Sequence, residues 1–175
     1  AIGSKEIIKT IKKSRTVFGT IIDPHTSWLL MRSLETLKIR MEAAALNAEK
    51  VAHYLLQHHK VEKVYYLGFT KMNNPTQLPI LEKQYLSNGA MLSFDVKGGE
   101  KEAFTFLNNL KLIKLAVSLG GTESLAEHPF SMTHADEPEE EKNRLGLTNK
   151  MVRISVGIEN GRDLIEYIEQ ALEAL

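Results

Sequence analysis

The stretch LAVSLGGTESLAEHPFSMTH, residues 115–134, runs from an apolar segment through a Gly-Gly turn to a Met-Thr-His triplet. Its serine, threonine, glutamate and histidine side chains follow glycines, whose backbone is conformationally permissive. No other part of the sequence places so many polar side chains beside such glycines. The stretch therefore predicts one wall of a small-molecule site.

Periodic segments on both sides of this stretch predict an α+β domain. Strands are predicted over residues 61–67, 90–96, 112–118 and 151–158, and helices over residues 77–86, 101–109 and 163–175. This order of elements is typical of a small, largely antiparallel sheet with helices on one face.

A long helix is predicted before this domain. Residues 27–58 contain neither proline nor glycine, and their apolar residues recur at helical spacing. About thirty residues is long for a globular helix, which predicts a bend or break near residues 32–35. We expect this helix to join an N-terminal extension to the α+β domain.

Composition limits the classes of partner. Twenty-two basic and twenty-two acidic residues give a formal net charge of zero, which disfavours nucleic acid and anionic membranes. No apolar run has the length of a membrane span and no signal-peptide pattern opens the chain, so we expect a cytoplasmic protein. The first residue is alanine rather than methionine, which indicates a processed piece or part of a longer protein.

The sequence does not predict a metal site. It contains no cysteine, and His128 and His134 are six residues apart, which is not a standard zinc-ligand spacing. The remaining candidates, His53, His58 and His59, lie around the end of the long predicted helix, where imidazoles interact favourably with the helix dipole.

Arg153 lies in the middle of an apolar strand, MVRISVGIE, residues 151–159. Alternation assigns four neighbours to the core: Val152, Ile154, Val156 and Ile158. An arginine on the opposite face is costly unless it is exposed or paired, and its planar fork suits bidentate binding of a carboxylate. Two interpretations stay open: Arg153 binds a carboxylate ligand, or it lies on a wet sheet face or pairs with a structural acid.

Other polar residues of the opening stretch are weaker candidates. Ser118 precedes the Gly-Gly turn and is a candidate donor to an anionic ligand, although serine is also an ordinary turn residue. Glu123 is a candidate site carboxylate or a partner of Arg153. The sequence has no glycine-rich phosphate loop, nucleophile elbow or paired-carboxylate constellation. The sequence therefore offers candidates for binding a carboxylate and little that could break a bond.

Four motifs resemble the Cys/Met metabolism family of pyridoxal-phosphate enzymes, which includes methionine γ-lyase, the cystathionine lyases and γ-synthase, and the O-acylhomoserine sulfhydrylases. They are LAVSLGGTESLAEHPFSMTHA, MVRISVGIENGRDL, MRSLETLKIRMEAAALNAEKVAHYL and KVYYLGF. The third is close to the family's RGLKTL-x-x-RM helix and the fourth to its V-x-YPGL segment. The likeness covers about residues 17–175, in order.

The resemblance implies the smaller C-terminal domain of fold type I. Residues 1–58 would form an N-terminal extension and long connecting helix, and residues 59–175 a C-terminal substrate-carboxylate-binding domain. It implies that Arg153 binds the α-carboxylate of an amino-acid substrate and that Ser118 assists it. It also implies that Val117 and Leu119 flank the substrate and that Thr133 lies near it. Cystathionine-specific γ-enzymes often have glutamate at the position of Val117, so the valine favours a small thioether substrate.

The departures from the family pattern are equally informative. The family's S-x-T-K lysine, which binds pyridoxal 5'-phosphate covalently, is not found in these residues, nor are its other cofactor-binding motifs. The resemblance therefore implies a cofactor domain of the same enzyme that lies N-terminal to Ala1, a homotetrameric intact enzyme, and a fragment that is inactive alone. Arg32-Ser33 in place of Arg-Gly and Leu67 in place of proline indicate altered turns.

We expect this chain to be the C-terminal part of a lyase that catalyses α,γ-elimination of methionine or cystathionine. A cystathionine γ-synthase or O-acylhomoserine sulfhydrylase is one alternative. A non-enzymatic module for amino-acid binding or assembly is the other.

Overall fold

The computed structural model describes all 175 residues, Ala1 to Leu175. The elements are α1 (Lys5–Phe18), α2 (Pro24–Glu35), α3 (Leu37–Gln57), β1 (Val61–Tyr65), α4 (Thr70–Asn73), α5 (Leu78–Gln84), β2 (Met91–Val96), α6 (Glu100–Asn109), β3 (Lys114–Leu115), β4 (Leu125–Glu127), α7 (Glu139–Arg144), β5 (Met151–Ser155) and α8 (Gly161–Glu173). None of the helices is both long and apolar enough to cross a lipid bilayer.

The chain divides into two compact units between Lys38 and Ile39. In the first unit, Asp23 caps α2, and hydrogen bonds from the hydroxyl and N–H groups of Thr26 hold the pKa of Asp23 below its ordinary value. No residue of α1 or α2 is buried. The domain boundary predicted from the sequence at residues 58 and 59 stays a prediction.

The long predicted helix is interrupted at Thr36. Helix α2 ends at Glu35 and α3 begins at Leu37, which confirms the break expected from the length, one residue beyond the predicted range. In α3 the buried positions recur every three or four residues, as an amphipathic helix requires. They are Ala44, Asn47, Ala48, Val51, Ala52 and Leu55.

Five strands form one sheet in the order β1-β2-β5-β4-β3. The β1–β2, β2–β5 and β4–β5 pairs are antiparallel, and only β3 and β4 run parallel. The observed architecture confirms the α+β class and the largely antiparallel sheet. Strand β5 lies at the centre, with β2 on one side and β4 on the other.

The structure corrects the predicted strands in three places. Strand β4 was not predicted, because its three residues are too few to show a period. The predicted strand over residues 112–118 is reduced to Lys114–Leu115, since the following residues leave the ladder for the site described below. Ile158 was assigned to the core but is 41% exposed, because β5 ends at Ser155 and the alternation stops there.

The core lies on one face of the sheet. Register places Leu92, Ile154 and Ala126 side by side across β2, β5 and β4, and all three are buried. Helices α3, α6 and α8 contribute the opposing side chains of the same cluster. Its aromatic contact joins Phe94 to Phe106 of α6, whose ring centroids are 5.4 Å apart with the rings perpendicular.

Polar contacts link the end of α3 to α8. The Tyr54 hydroxyl donates to Glu169, and His58 Nε2 lies 2.9 Å from the same carboxylate. Burial, with the hydrogen bond to Glu169, raises the pKa of Tyr54. Lys60 Nζ donates to the carbonyl of Leu172 at 3.0 Å, at the C-terminal end of α8.

Phe106→Ala should lower the free energy of unfolding by about 4 kcal/mol, because it leaves a large cavity under the sheet. Urea denaturation of the chain measures this loss. Phe104 lies on the same helix and is 38% exposed, so Phe104→Ala is the matched control and should cost about 1 kcal/mol. Equal losses for the two variants would contradict the assignment of Phe106 to the core.

Candidate functional site

A row of polar residues crosses the sheet on the face opposite the core. Register aligns Tyr65, Ser93, Arg153 and Glu127 across β1, β2, β5 and β4. Residues that face each other across neighbouring strands lie within side-chain reach. The sheet therefore brings an arginine and a glutamate into contact at its centre.

Arg153 is held by two acceptors. Its Nη1 lies 2.7 Å from Glu127 Oε1, and its Nη2 donates to the carbonyl of Val117 at 2.8 Å. A guanidinium has five N–H donors, so at least three remain after these two contacts. Arg153 is 20% exposed, and this leaves part of the fork available to a ligand. Bidentate binding of a carboxylate needs two such donors.

Glu127 is fully buried, with its side chain 0% exposed. Its Oε1 pairs with the Arg153 guanidinium and also accepts a hydrogen bond from the hydroxyl of Thr133, whose Oγ1 is 3.2 Å away. Its Oε2 is buried and has no hydrogen-bond partner. A buried polar atom without a partner carries a desolvation cost. This oxygen therefore lowers the stability of the fold and does not add to it.

A cavity of about 390 Å³ opens beside Arg153. It is lined by Tyr65, Tyr66, Leu67, Thr70, Asn73, Asn74, Met91, Leu92, Ser93 and Arg153. Arg153 is its only charged lining residue, so the cavity presents positive charge. Burial raises the pKa of both tyrosines to about 12, with the hydrogen bond from Tyr65 to Asp95 adding to the effect there. Both hydroxyls are therefore neutral near pH 7.

The turn that follows Val117 is held by the end of β5. The N–H of Gly120 donates to Ser155 Oγ at 3.0 Å, and the hydroxyl of Ser124 donates to Glu159 Oε2 at 2.8 Å. The N–H of Gly157 donates to Ser124 Oγ, also at 2.8 Å. The turn is thus attached to the last residue of β5 through Gly120 and to the segment after β5 through Ser124.

Gly157 is required by the close approach of this turn. A Cβ atom at Gly157 would lie 2.3 Å from the Thr122 carbonyl oxygen and 2.7 Å from the Glu123 carbonyl carbon. Both neighbours are backbone atoms, which cannot give way without moving the turn. By contrast, a Cβ at Gly121 would meet no atom closer than 3.9 Å.

The structure brings together three of the five residues predicted to bind substrate. Arg153 contacts the main chain of Val117 and shares Glu127 with Thr133. Ser118 and Leu119 directly follow Val117 and are exposed. The contribution of Val117 through its carbonyl was not predicted, because a sequence indicates side chains and not where a carbonyl points. The roles of all five towards a substrate stay predictions.

Sequence reasoning missed Glu127. The acid that pairs with Arg153 is Glu127 and not Glu123, which is exposed. The available signal was a glutamate at the end of the buried trio Leu125–Glu127, directly before a His-Pro pair. That signal needs β4, whose register opposite β5 is visible only in the structure.

His128 has a structural role. Its Nδ1 lies 2.7 Å from Ser131 Oγ and its Nε2 lies 2.9 Å from the Asn149 carbonyl, so both ring nitrogens have partners. The ring is buried and packs edge-on against Phe104. A carbonyl partner makes Nε2 the protonated nitrogen, which leaves Nδ1 to accept from the serine.

No lysine lines the cavity beside Arg153. Lys142 is the only buried lysine. Its Nζ donates to the Ala135 carbonyl at 3.2 Å and lies 4.4 Å from the ring centroid of Phe130. The residues around Arg153 thus fit a carboxylate ligand and include no amine that could bind a cofactor covalently.

Gly157→Ala should displace residues 118–124 and lower the free energy of unfolding by about 3 kcal/mol, because the added methyl group overlaps backbone atoms. Denaturation measures the stability, and hydrogen exchange of amides 118–124 reports the displacement. Gly121→Ala is the control and should change stability by less than about 0.5 kcal/mol. Unaltered exchange in Gly157→Ala would contradict the packing described here.

Comparison with known proteins identifies close relatives. The chain is 43% identical over 176 residues to an L-methionine γ-lyase from Fusobacterium nucleatum subsp. polymorphum, covering 99% of this chain and 44% of that protein. It is 44% identical over 170 residues to a cystathionine γ-lyase from Bacillus subtilis, covering 97% of this chain and 44% of that protein. The chain thus spans less than half the length of these curated relatives.

Solved structures share the fold. A cystathionine γ-lyase from Micromonospora echinospora superimposes with a TM-score of 0.88 at 30% identity, over 97% of this chain and 44% of that one. A Campylobacter jejuni structure with N'-pyridoxyl-lysine-5'-monophosphate gives 0.85 at 34% identity, over 95% and 39%. The sequence pattern of one family, described as Cys/Met metabolism PLP-dependent enzyme, matches residues 1–173. This chain belongs to that family of pyridoxal-phosphate-dependent enzymes.

Proposed function

We propose that this chain is the C-terminal part of a pyridoxal-phosphate-dependent sulfur amino acid lyase and binds the α-carboxylate of its substrate. The proposal rests on one observation. Glu127 and Val117 hold the Arg153 guanidinium beside a cavity that is lined by no other charged side chain. An anion that enters this cavity meets a guanidinium group whose orientation is already fixed. Membership of the family and the share of its relatives that the chain spans support the larger assignment.

The chain's own contribution to such a reaction is orientation. Pyridoxal phosphate supplies an electron sink for negative charge that develops at the substrate carbon. Arg153 would hold the carboxylate so that the bond to be broken keeps its alignment, and Ser118 would donate a further hydrogen bond. Positioning of this kind contributes to rate by removing the freedom of the reacting groups.

We further propose α,γ-elimination, in which protons leave Cα and Cβ of the substrate and a thiol leaves Cγ. The side chains of Val117 and Leu119 are 50% and 57% exposed, next to the carbonyl that holds Arg153. An apolar pair here would favour the thioether chain of methionine over the distal ammonium group of cystathionine. The methionine γ-lyase relative agrees with this preference, and the cystathionine γ-lyase relative makes cystathionine the competing substrate.

The same proposal covers assembly and location. A cofactor domain of the same enzyme would complete the site, and the intact enzyme would be a cytoplasmic homotetramer without nucleic-acid or membrane partners. The exposed apolar side chains of the first unit, among them Phe18, Trp28 and Met31, support association through residues 1–38. We propose the division at residues 58 and 59 as the boundary between the connecting helix and the carboxylate-binding domain.

Assays with three substrate sets test the reaction class. The full-length protein should release a thiol from methionine, or cysteine from cystathionine, and should be slower with O-acylhomoserine plus sulfide. Preference for the last pair would favour a synthase or sulfhydrylase. The coding sequence upstream of Ala1 should contain an S-x-T-K lysine, and a reading frame without one would favour a binding module.

Arg153→Ala in the full-length enzyme should lower kcat/KM by roughly 100-fold, about 2.7 kcal/mol, chiefly through a higher KM. Arg153→Lys should recover only part of this loss, because an ammonium keeps the charge and not the planar fork. Steady-state kinetics with methionine measure both effects.

The matched control is Arg144→Ala. Arg144 also pairs with a carboxylate, that of Glu141 on α7, but its side chain is 70% exposed and outside the site. Kinetics should be unchanged in this variant. An unaltered KM in Arg153→Ala would refute the carboxylate-binding role.

A further inference from the structure

We propose that Glu127 is a positioning residue, which holds the Arg153 guanidinium so that its remaining donors face the substrate carboxylate. Thr133 assists by holding Glu127. The inference rests on the proposed function of Arg153 as the carboxylate-binding group. It assigns the arginine's orientation to a buried acid that does not itself touch the substrate.

The contacts define the orientation. Glu127 Oε1 lies 2.7 Å from Nη1, and the Val117 carbonyl lies 2.8 Å from Nη2. Contacts on two different nitrogens prevent the planar fork from turning about its last torsions. An arginine side chain otherwise has large rotamer freedom, which a ligand would have to remove on binding.

A purely structural role explains Glu127 poorly. It is 0% exposed, and its Oε2 has no partner. Apolar residues often replace both members of a buried ion pair without loss of stability, whereas removal of one member is costly when it leaves the other charge buried and unpaired. Arg153 is 20% exposed and keeps the Val117 carbonyl, so loss of Glu127 would not leave the guanidinium buried and unpaired. Stability alone therefore gives little reason for a glutamate here.

Attraction of the substrate is not its role either. The negative charge of Glu127 offsets the positive charge of Arg153 and repels an incoming carboxylate. Its useful property is the position of Oε1, which an amide oxygen would reproduce. Glutamine at this position should therefore preserve the orientation, and an apolar residue should lose it.

Thr133 acts on the same oxygen. Its Oγ1 lies 3.2 Å from Glu127 Oε1 and 3.0 Å from His134 Nδ1. With Nδ1 protonated, the imidazole donates to the threonine oxygen. Of the two acceptors of the hydroxyl, Glu127 Oε1 at 3.2 Å is closer than the Pro129 carbonyl at 3.5 Å. Thr133 then acts through Glu127 rather than by direct contact with the ligand.

The test compares binding of L-norleucine and pentylamine to the cofactor-loaded full-length enzyme by calorimetry. Norleucine has the length of methionine without a thiol to eliminate, and pentylamine lacks the carboxylate. The ratio of the two dissociation constants isolates recognition of the carboxylate. The variants are Glu127→Met, Glu127→Gln, Thr133→Val and Arg153→Lys, with Glu140→Gln as an exposed control on α7, outside the site.

Glu127→Met should weaken norleucine binding by about tenfold while pentylamine binding stays unchanged. Its melting temperature should be equal to or above that of the parent. Glu127→Gln should restore norleucine binding to within about twofold of the parent, and Thr133→Val should weaken it by about threefold. Kinetics of Glu127→Met should show a higher KM with kcat retained.

Three results would overturn the positioning role. One is parental norleucine binding in Glu127→Met while Arg153→Lys loses it. The second is an equal loss in Glu127→Met and Glu127→Gln. The third is a destabilised Glu127→Met together with parental binding in Thr133→Val, which would make Glu127 structural. Parental binding in Arg153→Lys would instead refute the proposed function on which this inference rests.

Discussion

The central place of β5 between β2 and β4 is the constraint on which the rest of the domain depends. Because both edges of β5 are paired, its register fixes two faces at once. Ile154 points into the core between Leu92 and Ala126, and the next residue towards the N-terminus, Arg153, points to the other face. A shift by one residue would bury the guanidinium under the helices and expose the isoleucine. The apolar packing of the core thereby sets the position of Arg153.

On the face opposite the core, polar contacts with the end of this strand and with the residues that follow it hold the turn in place. The turn after Val117 is tied to Ser155 and, through Ser124, to Gly157. The Val117 carbonyl links the start of the turn to β5 by accepting a hydrogen bond from Arg153. A site built on an element that is paired on both sides changes shape little when a ligand arrives, and less ordering then opposes binding. Orientation is thus part of the folded state before any substrate is present.

The sequence predicts the elements that have a local apolar period. It does not predict features that depend on contacts between distant residues. The central strands and helices α3, α6 and α8 have clear apolar periods, and the alternation in β5 placed Arg153 on the correct face. Strand β4 has three residues and no period of its own. The requirement for Gly157 arises from the Thr122 carbonyl, and the partner of Arg153 is decided by register across β4 and β5. Such facts exist only after the chain has folded.

The distribution of charge suits the proposed role, in which this chain binds a carboxylate and other groups supply the chemistry. One positive side chain beside a neutral cavity attracts an anion and gives little binding to an amine. Glu127, which keeps this arginine oriented, is buried and does not line the cavity. Its negative charge therefore compensates Arg153 from outside the cavity. Fixed donors of this kind orient the bound end of a substrate and leave its reacting end to other groups. In the proposed function, this chain binds the carboxylate and another part of the enzyme supplies the chemistry. Such a division requires a rigid binding site, and the pairing of β5 on both sides makes this one rigid.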